Sequence, residues 1–255
     1  MREKVLSWIN RSGFPLEMEA AKAFRNAGFE VRQSATHLDQ EEKKGREIDV
    51  LAQDPDLWGV VDIYYVVECK SSDKPWVVLM GDDVLSGFNR ADAFSVLSAD
   101  AKGEIVSLWD NNKYFKALLE KTDRCGYSFR QAMGGKNDRA YTAAISVLKA
   151  CAGLTHERRA PSIKRFAFAL PVIVVDTQIF ECNLKYDGEI DLVEVNESEF
   201  LFSAHMPDEV ACCIKVINKE RLCDFALSSK KTADTLRKLM NESEKVAIES
   251  TWLPG

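Results

Sequence analysis

Apolar positions near the start of the chain recur at helical spacing. In GFPLEMEAAKAFRNAGFEV, Leu16, Ala20, Ala23, Phe24 and Ala27 share one face, Pro15 suits a first helical turn and Gly28 supplies the stop. A strand is predicted at about 29–34. The polar run ATHLDQEEKKG then reads as a loop and REIDV as a strand holding Asp49. DPDLWG has the chemistry of a turn into a third strand, ending VVECK. The order is helix, strand, strand, strand.

From about 82 to 160 the apolar spacing is mostly helical, broken at Gly103 and at GGKND, with YTAAISVLKACAG the clearest helix. Strands resume in RFAFALPVIVVD and QIFECNL and continue through DGEIDLVEV, SEFLFSAH and EVACCIKVI. KERLCDFAL and KKTADTLRKLM read as closing helices and ESTWLPG as a tail. There is no internal repeat or Pro/Gly/Ser-rich linker, so the chain reads as one α/β domain over 1–255. Its helix-and-hairpin core is 14–76, its helical part 82–165, and further strands and helices fill 166–250.

Composition changes this picture little. At 255 residues and 46% hydrophobic, the chain can bury a sizeable core. The longest apolar run, FAFALPVIVV at 166–175, is about half a membrane span, and the N-terminus is charged where a signal peptide is apolar. The expectation is a cytoplasmic protein that makes no membrane contact. Seven cysteines form no C-x-x-C pair and none has histidine at zinc-ligand spacing, so they read as reduced thiols. His37, His156 and His205 are scattered, which argues against a histidine-built metal site or a Ser-His-Asp triad. A cysteine-based hydrolase lacks a neighbouring base.

Charge distribution matters more than the net −6. Lys113, Lys116, Lys121, Arg124, Arg130, Lys136, Arg139, Lys149, Arg158, Arg159, Lys164 and Arg165 face only Glu120, Asp123, Asp138 and Glu157. The segment 113–165 is therefore +8 and the remainder −14. A solvated helical face explains such a run, and contact with phosphate is the other reading.

The chemistry lies in REIDVLAQDPDLWGVVDIYYVVECKSS. An apolar strand ends in Glu68 and Lys70, and burying a carboxylate costs several kcal/mol unless a partner compensates it. Alternation puts Glu68 and Lys70 on one face and Cys69 on the other. If the Asp49 strand pairs here, two carboxylates and an ammonium converge. Asp49, Glu68 and the Cys69 backbone carbonyl then form an oxygen shell suited to Mg²⁺, with Lys70 placed to orient water. A one-residue slip in the hairpin would turn Asp49 away.

The order of LE in a helix, GF opening a strand, REIDV and then VECKSS resembles the PD-(D/E)xK nuclease superfamily, the restriction-endonuclease-like fold, and especially its type IV restriction and Holliday-junction-resolvase branches. The resemblance covers about residues 14–76. It departs from the name pattern in having Ile48 for proline and in placing Glu68 nineteen positions after Asp49. It implies a mixed central sheet flanked by helices, with Asp49 and Glu68 binding Mg²⁺ (or Mn²⁺), Lys70 assisting the water, and a helix glutamate completing the site. The helical wheel does not choose between Glu17 and Glu19. In the resembling families the glutamate stands about eleven positions before the GF glycine, which selects Glu17.

The resemblance further implies a divalent-metal-dependent endonuclease acting on DNA in defence or repair, with homodimers making double-strand cuts. No dimer interface is visible in the sequence, and DNA against RNA is undecided by the residues themselves. The alternative is the same fold, catalytically idle, serving as a nucleic-acid-binding or protein-interaction module. Ser71, Ser72, Lys74 and Trp76 follow the strand and either touch phosphate, wall the cleft, or merely turn and pack; Gln33 is a further candidate for pointing into the site.

Overall fold

The computed structural model describes residues 1–39, 41–108, 118–119, 124–134, 138–156, 164–206 and 208–252. After α1 (Arg2–Arg11), helix α2 (Phe14–Asn26) opens with Pro15 in its first turn and buries Leu16, Ala20, Ala21, Ala23 and Phe24. Gly28, at φ 97°, takes the left-handed conformation that releases the chain into the sheet. Strands β1 (Glu30–Asp39), β2 (Lys44–Gln53) and β3 (Val61–Lys70) come next as antiparallel neighbours. Then come β4 (Trp76–Gly81), α3 (Arg90–Phe94), β5 (Val96–Leu97), α4 (Ala99–Leu108), β6 (Cys125–Gln131), α5 (Arg139–His156) and β7 (Phe166–Val175). The chain continues through β8 (Ile179–Leu184), β9 (Ile190–Val195), β10 (Glu197–Met206), β11 (Asp208–Asn218) and α6 (Leu222–Trp252).

The eleven strands of the described residues join one mixed sheet in the order β1-β2-β3-β7-β11-β10-β6-β4-β8-β9, with β5 paired to β7. Helices cover both faces. One core, under α2, α4 and α6, contains Phe24, Tyr65, Ile105, Phe168 and Leu236. The other, under α5, contains Ile48, Tyr64, Trp76, Leu148 and Phe200. Each such fully buried side chain contributes about 1.5–3 kcal/mol.

The position of β3 explains why its sequence is apolar on both faces. It lies between β2 and β7, and every residue from Val61 to Cys69 is buried. Its pairing with β7 is parallel, from Val61 opposite Phe166 to Lys70 opposite Val175, so the two strands end together at one edge of the molecule. Proline is normally excluded from a central strand because it donates no ladder bond. Pro171 is tolerated in β7 because it falls between the residues covered by β5 (168–169) and those covered by β11 (172–175).

Several sequence expectations need correction. ATHLDQEEKKG is mostly strand, because β1 is a sheet edge whose solvated residues need not be apolar. The turn forms where Asp39 accepts the Glu41 and Glu42 N–H groups at 3.0 and 3.1 Å. Among its described residues region 82–165 is mostly helical, but it also contains a strand that the spacing did not reveal: CGYSFRQ is β6, held between β4 and β10, and α4 runs through Gly103 without a break. A Cβ on Gly126 would collide with Val78 and Phe200, so that position has no room for a side chain. The two closing helices are one, α6, since neither Gly nor Pro interrupts SSKK, and it extends through the expected tail to Trp252.

Arg165 and Asp62 form a buried pair at 2.6 Å across β7 and β3. Gln53 donates to the other Asp62 oxygen at 3.0 Å, and Arg165 also donates to the Leu154 carbonyl at 2.9 Å and the Tyr64 hydroxyl at 3.0 Å. Among the described residues no helix is long and apolar enough to cross a membrane.

Candidate functional site

The hairpin holding Asp49 changes character at that residue. β2 pairs with β3 from Gln53 opposite Tyr64 to Val50 opposite Val67, and no further. Continuing the register would bring Asp49 opposite Glu68 and Ile48 opposite Cys69. Instead the Asp49 carboxylate accepts the Cys69 N–H at 2.8 Å, filling the place of a ladder carbonyl. β2 swaps faces here: Val50 and Ala52 belong to the core under α2, but Ile48 belongs to the core under α5. The residue facing this bend on β1, Ser34, lies between the pairs Gln33–Val50 and Ala35–Ile48 and has φ 51°. A non-glycine residue in that region marks local strain, which such sites often contain.

The gap between β2 and β3 therefore gathers groups from three directions. Glu68, 8% exposed, forms an ion pair with Lys70, and its other oxygen accepts from Ser146 of α5 at 3.1 Å. Asp49 fills the gap. Because the N–H and C=O of one strand residue point to the same side, the Cys69 carbonyl faces the gap as its N–H does. α2 contributes Glu17, half-buried and in the electrostatic field of Asp49, Glu47, Glu68 and Lys70. Glu19 is exposed on the other side of the α2 stripe, so the structure brings Glu17 to the site and leaves Glu19 out.

Charge is unbalanced here. Burial first, then repulsion from Asp49, Glu47 and Glu68, raises the Glu17 carboxyl above the usual range, with Lys70 opposing. Burial also raises Asp49, against the Cys69 N–H and Lys70. Burial and then Asp49 raise Glu68, against Lys70 and Ser146. Three carboxylates are thus held where their ionised forms are disfavoured, which is the electrostatic demand a dication meets. The donor set is oxygen only, as Mg²⁺ or Mn²⁺ prefers. As they stand, no three His, Cys, Asp or Glu side chains among the described residues are arranged to hold an ion. Asp49 is engaged with Cys69, and Glu68 with Lys70 and Ser146.

The turn after Lys70 is built rather than open. Asp176, just beyond β7, accepts the Ser72 N–H at 2.9 Å and the Ser71 hydroxyl. Arg139, at the start of α5, donates to the Ser71 carbonyl at 2.8 Å. Ser146 and Asp176 were not visible as site residues in the sequence. The signal for Ser146 was a small polar residue beside the apolar Ala143, Ala144 and Val147; Asp176 had only its place after an apolar strand. Trp76 is not a cleft wall: it is fully buried and stacks on Phe129 at 5.1 Å. Gln33 accepts from Arg25 at 3.2 Å rather than pointing into the site.

The described cations of the basic segment do not all serve one surface. Arg165 is the buried partner of Asp62. Lys149 is tied to Asp39 at 3.2 Å and Glu41 at 2.7 Å. Asp39 is 1% exposed; burial opposes its charge, but bonds from the Glu42 N–H, Arg46, Lys149 and the Glu41 N–H outweigh it and hold the carboxyl well below its usual range. Lys113, Lys116, Lys121, Lys136, Arg158 and Arg159 lie outside the described residues.

Compared with known proteins, the chain matches no family model, no curated protein and no solved structure.

Proposed function

We propose that the protein is a cytoplasmic, divalent-metal-dependent endonuclease of restriction-endonuclease-like fold that hydrolyses phosphodiester bonds in DNA. The observation that carries this reading is the meeting of Asp49, Glu68 and Lys70 where β2 parts from β3, with Glu17 of α2 beside them. The sheet neighbours β1-β2-β3-β7, with β1, β2 and β3 antiparallel, β7 parallel to β3, α2 before β1 and α5 before β7, support the same fold. The carboxyl ends of parallel strands are where open α/β sheets bind ligands.

Asp49, Glu68, the Cys69 carbonyl and Glu17 would hold Mg²⁺ or Mn²⁺. When bound, such an ion neutralises the carboxylates and polarises the phosphoryl oxygens. Lys70 orients the attacking water and offsets charge gathering on the phosphate. Ser146 fixes the Glu68 carboxylate from behind, and Asp49 and Cys69 fix each other. Water adds to phosphorus, the bond to the 3′ oxygen breaks, and the proton lost by water is balanced by the one gained at the leaving oxygen. Homodimers would give double-strand cuts.

Incubating the purified protein with plasmid DNA tests the reading. Nicking or cutting is expected with Mg²⁺ or Mn²⁺, and none is expected with EDTA or in Asp49→Ala or Lys70→Ala. Cleavage by Lys70→Ala equal to the parent's would sink the mechanism. DNA binding with no cleavage under any divalent metal would instead favour a catalytically idle binding module.

A further inference from the structure

We propose that Lys74, Arg130 and Arg139 form a basic rim that receives the sugar–phosphate backbone of duplex DNA next to Lys70. The inference rests on the nuclease reading for the site it adjoins and on its own hydrogen bonds for its geometry.

Three segments meet just past the end of β3. Asp176 fixes the turn after Lys70 through Ser71 and Ser72. The end of β6 is stitched to that turn: the Ala132 N–H donates to the Pro75 carbonyl at 2.9 Å, Gln131 donates to the Ser72 hydroxyl, and Lys74 Nζ donates to the Met133 carbonyl at 2.7 Å. α5 closes the group through the bond from Arg139 to the Ser71 carbonyl. Cations from three separate parts of the chain are thereby held along one rim whose inner end is Lys70.

Their exposure suits them to a charged ligand. Arg130 and Arg139 are exposed, and Arg139 commits one donor of the five in its planar fork to Ser71. Arg130 reaches Asp138 at 3.3 Å, but Asp138 also starts α5, accepting the Tyr141 N–H at 2.9 Å. The exposed acids of the rim are Asp73 and Asp138, against Lys70, Lys74, Arg130 and Arg139. Of the described cations in the basic segment, Arg130 and Arg139 join this rim, with Lys74 from outside the segment, while Arg165 and Lys149 serve the fold.

Anisotropy of a short fluorescein-labelled DNA duplex, titrated in EDTA across a salt series, tests the rim without cleavage. The parent is expected to bind more weakly as salt rises. Arg139→Gln, Arg130→Gln and Lys74→Gln should each flatten log affinity against log salt by about 0.9. Lys231→Gln and Lys238→Gln, exposed on α6, should leave the slope unchanged. Rim variants with the parent's slope and affinity, or a parent that binds no duplex, would overturn the proposal. The two readings fail separately. Rim-dependent binding by a protein that never cuts removes the nuclease and leaves the rim; metal-dependent cutting undiminished in the triple rim variant removes the rim and leaves the nuclease.

Discussion

The Asp49 carboxylate accepts the Cys69 N–H at 2.8 Å, so a side chain replaces a backbone carbonyl at the point where two strands separate. The bond places a carboxylate beside Glu68 without requiring the ladder to continue. It also leaves the Cys69 carbonyl facing the same gap.

That arrangement disfavours the ionised site. A carboxyl whose folded pKa is raised contributes stability below its unfolded pKa and loses it as pH rises through the folded value. Burial raises Asp49 from its ordinary 3.8. In EDTA at neutral pH, Asp49→Asn is therefore expected to melt above the parent, by about 2–4 °C per kcal/mol relieved. The gain should vanish well below pH 3.8 and reverse with saturating Mg²⁺, which is expected to stabilise only the parent. Thermal scans at both pH values and with both additions measure this.

Glu17 and Glu19 separate cleanly. Glu17→Ala is expected to lower metal-dependent cleavage by at least about 10-fold, one lost charge-assisted contact. Glu19→Ala should match the parent, since Glu19 is exposed away from the site. Equal loss in both would contradict the placement of α2.

The Ser146 hydroxyl favours the ionised form of Glu68, against the burial and the Asp49 charge that raise its pKa. Removing that donor raises the Glu68 pKa further, so the acid limb of the cleavage–pH profile should move to higher pH in Ser146→Ala. The rate at neutral pH should fall by about 10-fold, and Ser146→Thr should restore both. A rate loss without a shifted limb would indicate packing alone.

Arg165 tests the division of the basic residues. Arg165→Gln leaves Asp62 buried without its guanidinium, and removing one member of such a pair costs about 3–5 kcal/mol. Urea unfolding should register that loss, and the salt slope of DNA binding under conditions where the variant is folded should not change.

Alternation and helical spacing by themselves determined the helix ending at Gly28, the apolar strand closing in Glu68 and Lys70, helix α5 and the run of strands from Phe166 onward. These are local patterns, because a strand buried on both faces is largely apolar and a helix on a sheet is apolar on one side. The same patterns misread CGYSFRQ, whose strand exists because β4 and β10 flank it, and the polar β1–β2 hairpin, whose edge position removes the need for apolar residues. The E-x-K pair was legible as charge at the end of an apolar strand. Tertiary structure alone decided that β2 leaves β3 at Asp49, that Ser146 reaches Glu68 across 78 positions, and that Arg165 belongs to Asp62. Each depends on partners far apart in sequence, whose meeting is fixed by how the sheet and its helices pack.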